Sequence, residues 1–301
     1  RRQRQMCIRD SAPTGAGKSA PINCAKRFFK SDDSLNCLLG EEGFKSGAAI
    51  ESGLDVRREK LDSLDECGDL FLGIKEGGYH QNQMIDILNK LYTSSGQWYK
   101  TYKGANSDSA EYYSPCVTTM MFTTRSALDG LMDKKTLEKG LLPRCIIINE
   151  DYGKKYKYDE QVSRSNDSEK LFDYICGRMI EIRQKYVLDT SDKLNTKPIA
   201  QQISVDDDAQ IMLSEISEKY DPQKTCSEIE RSFSSRAFVN IVKLSMVSGA
   251  LNNGRISSQD VLFAEGIYNS SMVNIEPLIP DILSENSNHK NALRIIGIIK
   301  A

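Results

Sequence analysis

Apolar and polar positions change period several times along the chain, and each change marks an element. Short apolar runs of strand length stand at residues 6–8, 116–122 and 145–148, the last two enriched in β-branched residues. Residues 44–53 carry small and apolar side chains and predict a further strand, and residues 61–64 a shorter one. Elsewhere apolar residues recur at helical spacing. Ile22, Ala25 and Phe29 share one face, as do Met84, Ile87, Leu88 and Leu91, and the stretches 70–74, 131–142 and 171–187 also read as helices. Residues 93–114 and 152–167 are polar and lack a period, so both read as connections; the first is long enough to suggest a functional excursion. Beyond a linker-like segment at 189–202, residues 206–220, 226–249 and 258–270 are helical by period, broken by the turn Asn252-Asn253-Gly254.

Strands alternating with helices predict an α/β fold with a mainly parallel sheet flanked by helices, followed by a mainly helical carboxyl-terminal region. The expected organisation is a core at residues 1–188, a linker at 189–205 and a helical lid region at 206–301. No internal repeat is present.

The most specific chemistry lies between the first strand and the first helix. Ser11-Ala12-Pro13-Thr14-Gly15-Ala16-Gly17-Lys18-Ser19 reads as the phosphate-binding loop of a P-loop NTPase. Glycines let successive N–H groups curl around phosphates, Lys18 reaches the β and γ oxygens, and the Ser19 hydroxyl suits Mg²⁺. Thr14, Gly15, Ala16, Gly17, Lys18, Ser19 and Ala20 are therefore the expected ATP-binding set. Ala12 stands where the strict pattern has its first glycine, which keeps a small residue at the turn.

Hydrolysis also needs acids. Asp65 would hold Mg²⁺ together with Ser19, and Glu66 would activate the attacking water, although Leu61-Asp62-Ser63-Leu64 is a poor apolar run for the strand before them. Thr123-Thr124 ends a strand expected beside the Asp65 strand, which makes Thr124 a candidate for orienting water. Arg144, between a helix and a strand, is a candidate arginine finger, with Arg125 competing for the role. Arg231 and Arg236 would be lid arginines. Trp98, Tyr99, Lys100, Tyr102 and Lys103 interleave rings and ammonium groups, which suits single-stranded nucleic acid, the rings stacking on bases and the cations meeting phosphates. Each has a plainer reading: an acidic surface turn, a strand-ending Thr pair, salt-bridging arginines, and rings that pack the loop onto its domain.

With 301 residues there is room for about two units. A net charge of −2 excludes a generally basic nucleic-acid protein, so any such contact must be local. The 8 cysteines stand singly and only 2 histidines accompany them, which argues against zinc fingers and disulfide frameworks. No apolar run approaches the roughly 18 residues of a membrane span, so the expectation is a protein without a membrane partner, in the cytoplasm. The chain starts just before its first motif and stops in the apolar run 293–301, as a core cut from a longer protein would.

Taken in order, Thr14-Gly15-Ala16-Gly17-Lys18-Ser19, Leu64-Asp65-Glu66, the loop before Cys116, Thr123-Thr124 and residues 140–144 resemble the ATPase core of phage- and plasmid-type primase-helicases. These are ring-forming P-loop motors related to superfamily 3 and other AAA+ helicases. The resemblance covers residues 6–150, and residues 203–271 look like the helical region that follows such motors. It implies a hexamer that threads single-stranded DNA, with ATP and Mg²⁺ held between subunits. Lys18, Ser19, Asp65 and Glu66 would lie on one face of each site, and Arg144 would be donated across the interface. A primase domain or other replication proteins would be partners, in a bacterial host's cytoplasm where a phage or mobile element encodes the chain. No primase site is visible in these residues. Rival expectations are a P-loop ATPase in protein remodelling, DNA packaging or anti-phage defence, and a nucleotide-binding scaffold without turnover.

Overall fold

The computed structural model describes residues 7–11, 19–44, 46–65, 67–76, 78–94, 96–102, 109–124, 137, 139–149, 166–186, 202–225 and 228–275. The first half carries strands β1 (Cys7–Ser11), β2 (Glu59–Leu64), β3 (Trp98–Lys100), β4 (Glu111–Tyr113), β5 (Cys116–Thr123) and β6 (Cys145–Asn149). Four of them form one parallel sheet in the order β2-β5-β1-β6, while β3 and β4 pair apart from it as an antiparallel hairpin. The α/β class and the parallel sheet agree with the alternating pattern of the sequence.

The sheet extends beyond β2. Leu61 N–H donates to the Leu38 carbonyl, Gly40 N–H to that of Leu61 and Ser63 N–H to that of Glu41, so residues 38–41 run parallel to β2 as a strand-like edge. The expected strand at 44–53 is instead helix α3 (Gly47–Val56), which starts where the Ser46 hydroxyl accepts the Ala49 N–H at 3.3 Å.

The poor apolar character of β2 has a structural reason. Lys60 and Asp62 lie on its buried side, 3% and 0% exposed, with Nζ and Oδ2 3.0 Å apart. Asp62 Oδ1 accepts the Glu41 N–H at 2.9 Å. Burial raises the Asp62 pKa, and the Lys60 ammonium partly opposes this. Glycine is required at Gly40, because a Cβ there would sit 2.0 Å from Asp62 Oδ1.

Helices α1 (Ser19–Phe29), α2 (Asp33–Asn36), α4 (Gly68–Lys75) and α5 (Tyr79–Thr93) complete the first half with α3. α5 buries Met84, Ile85, Ile87, Leu88 and Leu91 against Ile50 and Leu54 of α3 and Val117 and Met121 of β5. Each such side chain, fully withdrawn from water, stabilises the fold by about 1.5–3 kcal/mol.

The second half carries α6 (Asn166–Tyr186), α7 (Asp207–Lys219), α8 (Glu228–Leu251) and α9 (Ser258–Ile275), and a short parallel pair of β7 (Ser204–Val205) with β8 (Arg255–Ile256). Residues 204–205 thus belong to the helical part, whereas 189–201 of the expected linker lie outside the described residues. The turn at 252–254 forms as read, with Asn253 and Gly254 at positive φ and Gly254 N–H on the Gly249 carbonyl. A capping box opens α9: Ser257 N–H donates to Asp260 Oδ2 at 2.8 Å, and Asp260 N–H lies 3.4 Å from the Ser257 hydroxyl.

The helical part is docked on the sheet. Along the outer edge of β6, Ile147 N–H donates to Ser271 Oγ at 2.8 Å, and Asn274 Nδ2 donates to the Ile147 carbonyl at 3.1 Å. Helix α9 thereby satisfies an edge that would otherwise offer unpaired backbone groups. Ile229, Phe233 and Ile275 join the core of the sheet, and Ile146 of β6 joins that of the helices. α6 ties the halves together from outside. Arg27 of α1 pairs with Glu169 at 2.8 Å and lies 4.0 Å from the Phe172 ring centre, while Phe28 stacks on Phe172. Farther along α6, Arg178 and Lys185 donate to the carbonyls of Leu251 and Asn253.

Candidate functional site

Register decides which groups meet at the carboxyl end of the sheet. Ser11 pairs with Thr123 on one side and Asn149 on the other, and Leu64 pairs with Met121, so Asp65 leaves β2 at the level of Phe122. Cys67 N–H then donates to the Phe122 carbonyl at 2.8 Å, which keeps the chain beyond Asp65 close along β5. β5 separates β1 from β2, so the acid strand stands about 10 Å from the phosphate-loop strand, two strand spacings away.

The order of the connections marks this end as the place where an open α/β sheet forms its crevice. From β1 the chain passes beyond β5 to β2; from β5 it passes beyond β1 to β6. The neighbours β1 and β5 therefore send their connections toward opposite edges, and right-handed crossovers put those on opposite faces. Ligands of open α/β sheets bind at such a switch point, outside the carboxyl ends of the strands.

Ser19 and Ala20 open α1, which follows directly from the loop after Ser11. Residues 12–18, holding Thr14, Gly15, Ala16, Gly17 and Lys18, lie outside the described residues, as do Glu66, Lys103 and Arg125. Asp65 is exposed at the crevice and Thr124 is half-buried just past β5. Thr123, one residue before the candidate Thr124, is the more telling group: its hydroxyl is buried with no hydrogen-bond partner among the described residues. A buried hydroxyl costs free energy unless a polar partner reaches it, and the Thr119 hydroxyl, earlier on β5, is likewise without one among the described residues.

Arg144 stands at the other end of the sheet, just before β6 begins at Cys145. Its guanidinium donates to the Gly140 carbonyl and lies 5.5 Å from the Tyr92 ring centre. It thus stands at the end of the sheet opposite Ser11. Helix α8, with Arg231 and Arg236, docks near the same amino end: Asn240 Nδ2 donates to the Pro143 carbonyl, and Lys243 Nζ to that of Tyr92 with the ammonium 3.2 Å from the ring centre. The middle of α8, which carries the expected lid arginines Arg231 and Arg236 nearer its start, is thus packed against this end of the sheet.

The excursion at 93–114 is the β3–β4 hairpin, joined to the amino end of β5. Trp98 opposes Tyr113, Tyr99 opposes Tyr112 and Lys100 opposes Glu111. Alternation splits the hairpin into two faces. Trp98, 52% exposed, meets Tyr113 edge-on at 5.3 Å, and Lys100 pairs with Glu111 at 3.4 Å on the outer face. Tyr102 is also exposed, with Lys90 Nζ 3.7 Å from its ring centre. Tyr99 is buried among core residues and takes the plainer reading of a packing ring. Lys90 and Tyr113 join the exposed group although the sequence did not single them out. Lys90 comes from α5, and Tyr113 faces out only through its pairing with Trp98.

Among the described residues no cluster of three or more acidic, His or Cys side chains could hold a metal by itself, and no helix is long and apolar enough to cross a membrane. Compared with known protein families and with characterised proteins, the chain matches none of either.

Proposed function

We propose that the chain is a Mg²⁺-dependent ATP hydrolase that works as a motor on single-stranded DNA, as a ring of copies that the resemblance makes a hexamer. The observation that carries this reading is the convergence of Ser11, Asp65 and Thr123 at a switch-point crevice, with a phosphate-loop sequence running from Ser11 into α1. There the loop N–H groups and Lys18 would cradle the phosphates of ATP, and Ser19 with Asp65 would hold Mg²⁺. When bound, the cation neutralises charge on the transferred phosphoryl group. Glu66 would accept the proton of the attacking water, and Thr124 at the end of β5 would orient it. Arg144, at the end of the sheet opposite Ser11, would act as a finger in a neighbouring copy's site. The motor would act in the cytoplasm, with a primase domain or other replication proteins as partners.

The test is ATP hydrolysis with and without single-stranded DNA, for wild type and Glu66→Gln, over a range of protein concentrations. Turnover that DNA stimulates, that rises per chain with concentration and that Glu66→Gln abolishes is the expected result. Hydrolysis indifferent to DNA removes the helicase, and ATP binding without turnover leaves the scaffold reading.

One observation favours a second reading, in which the same ATPase acts on protein, in remodelling, packaging or anti-phage defence. Lys100 is neutralised by Glu111, so the outer face of the hairpin is less cationic than its sequence suggests. Stimulation by an unfolded polypeptide instead of DNA would select it.

A further inference from the structure

We infer that Glu51 and Asp55 of α3 are positioning residues that hold the β3–β4 hairpin so that its outer face meets single-stranded nucleic acid, an inference resting on the motor reading above. A hairpin with three residues in each strand is not stable by itself in water, so something must hold it. Glu51 and Asp55 are one helical turn apart on α3 and face the same way. Glu51 Oε1 accepts the Tyr99 hydroxyl at 2.5 Å, and both Glu51 oxygens lie 3.1 Å from the Tyr102 N–H. The Tyr112 hydroxyl donates to Asp55.

Tyr99 and Tyr112 are directly opposed in the hairpin, so two carboxylates grip one cross-strand pair. Bonds to ionised acceptors are roughly twice as strong as neutral ones. Burial, and then the Glu51 carboxylate, push the Tyr99 pKa upward, which keeps its phenol a donor. With the inner pair held, strand alternation turns Trp98, Lys100, Glu111 and Tyr113 outward. The same helix leans on β2: a Cβ on Gly53 would come within 2.4 Å of Lys60 Nζ. α3 is thus shared between the strand that ends at Asp65 and the hairpin.

Trp98 is the chain's one tryptophan, so its fluorescence reports the hairpin alone. The experiment compares wild type with Glu51→Ala, Asp55→Ala and Glu51→Gln by acrylamide quenching of Trp98 and by DNA-stimulated hydrolysis. In the two alanine variants quenching increases and the DNA concentration for half-maximal stimulation rises about tenfold, while basal and maximal rates stay within about twofold. Glu51→Gln, which keeps one acceptor oxygen, falls between. Asp55 is exposed, so its alanine variant leaves no buried acid site behind and tests the clamp even if Glu51→Ala does not fold. Unchanged quenching in the folded variants overturns the clamp without any nucleotide or DNA present. Increased quenching with an unmoved half-maximal concentration overturns its role toward nucleic acid. A wild type that DNA does not stimulate overturns the motor reading instead, and the quenching arm still decides the clamp.

Discussion

The two ends of the sheet are built on different terms. At the carboxyl end, β1, β5 and β2 bring Ser11, Thr123 and Asp65 to within one residue of the same level through strand register. At the amino end, about 26 Å away along the 8 residues of β5, nearly everything is held by side chains. Tyr92 donates to Asn240, Lys243 to the Tyr92 carbonyl, and the hairpin tyrosines to Glu51 and Asp55. Groups whose positions the backbone fixes suit the catalytic centre proposed for the carboxyl end. A surface that presents rings needs the opposite: inner atoms fully satisfied, so that the outer ones are held still.

The sharpest way to break this comparison is at the carboxyl end. Glu66→Gln or Lys18→Ala lowers ATP turnover by about 10²–10⁴-fold, the usual size of a lost acid–base or electrostatic contribution, with the unfolding midpoint unmoved. Phosphate release and a urea melt on the same samples check it, and retained turnover would mean that this end is not hydrolytic. Next in size is the floor of the crevice strand. Asp62→Ala strands the Lys60 ammonium in the core and costs about 3–5 kcal/mol of stability, while Lys60→Met with Asp62→Leu recovers most of it. Denaturant unfolding separates the two, and equal losses would mean that the pair acts through packing alone.

At the amino end, Trp98→Ala raises the half-saturating concentration of single-stranded DNA about tenfold, as the loss of a stacked ring should. A titration followed by hydrolysis reads this, and no shift would move the contact surface off the hairpin. The smallest effect is a pH dependence. Burial works against the Asp260 carboxylate, but hydrogen bonds from Ser248 and Ser257 outweigh it and hold its pKa below the usual carboxylate range. A lowered pKa adds stability that is present above about pH 4, the unfolded value, and lost as pH falls through the folded one. The Tm difference between wild type and Asp260→Asn should therefore shrink on acidification from pH 5. A constant difference would mean that the Asp260 charge contributes nothing.

The same contrast governs what could be read from the sequence. The parallel sheet followed from strands of the right length, whereas the phosphate-loop residues 12–18 and Glu66 are contiguous motifs that lie outside the described residues. The strand-like edge at 38–41 was hidden because it is short and pairs on one side only. The small and apolar residues at 44–53 read as a strand, and only the Ser46 cap marks the helix Gly47–Val56 that they form. Tyr99 looked like a contact residue because its burial depends on Glu51, which is 48 residues away, and on which face of a three-residue strand turns inward. The weak apolar character at 61–64 was a true observation whose cause, mutual neutralisation of Lys60 and Asp62, only the fold reveals.

Helix α6 has a mechanical consequence. Its 21 residues make a rod about 31 Å long, pinned at one end to α1 by Arg27, Phe28 and Phe172 and farther on to the end of α8 by Arg178 and Lys185. A brace fastened at both ends ties the last turn of α1 to the turn at 252–254, so the carboxyl-terminal helices are held to the first half along α6 as well as along β6.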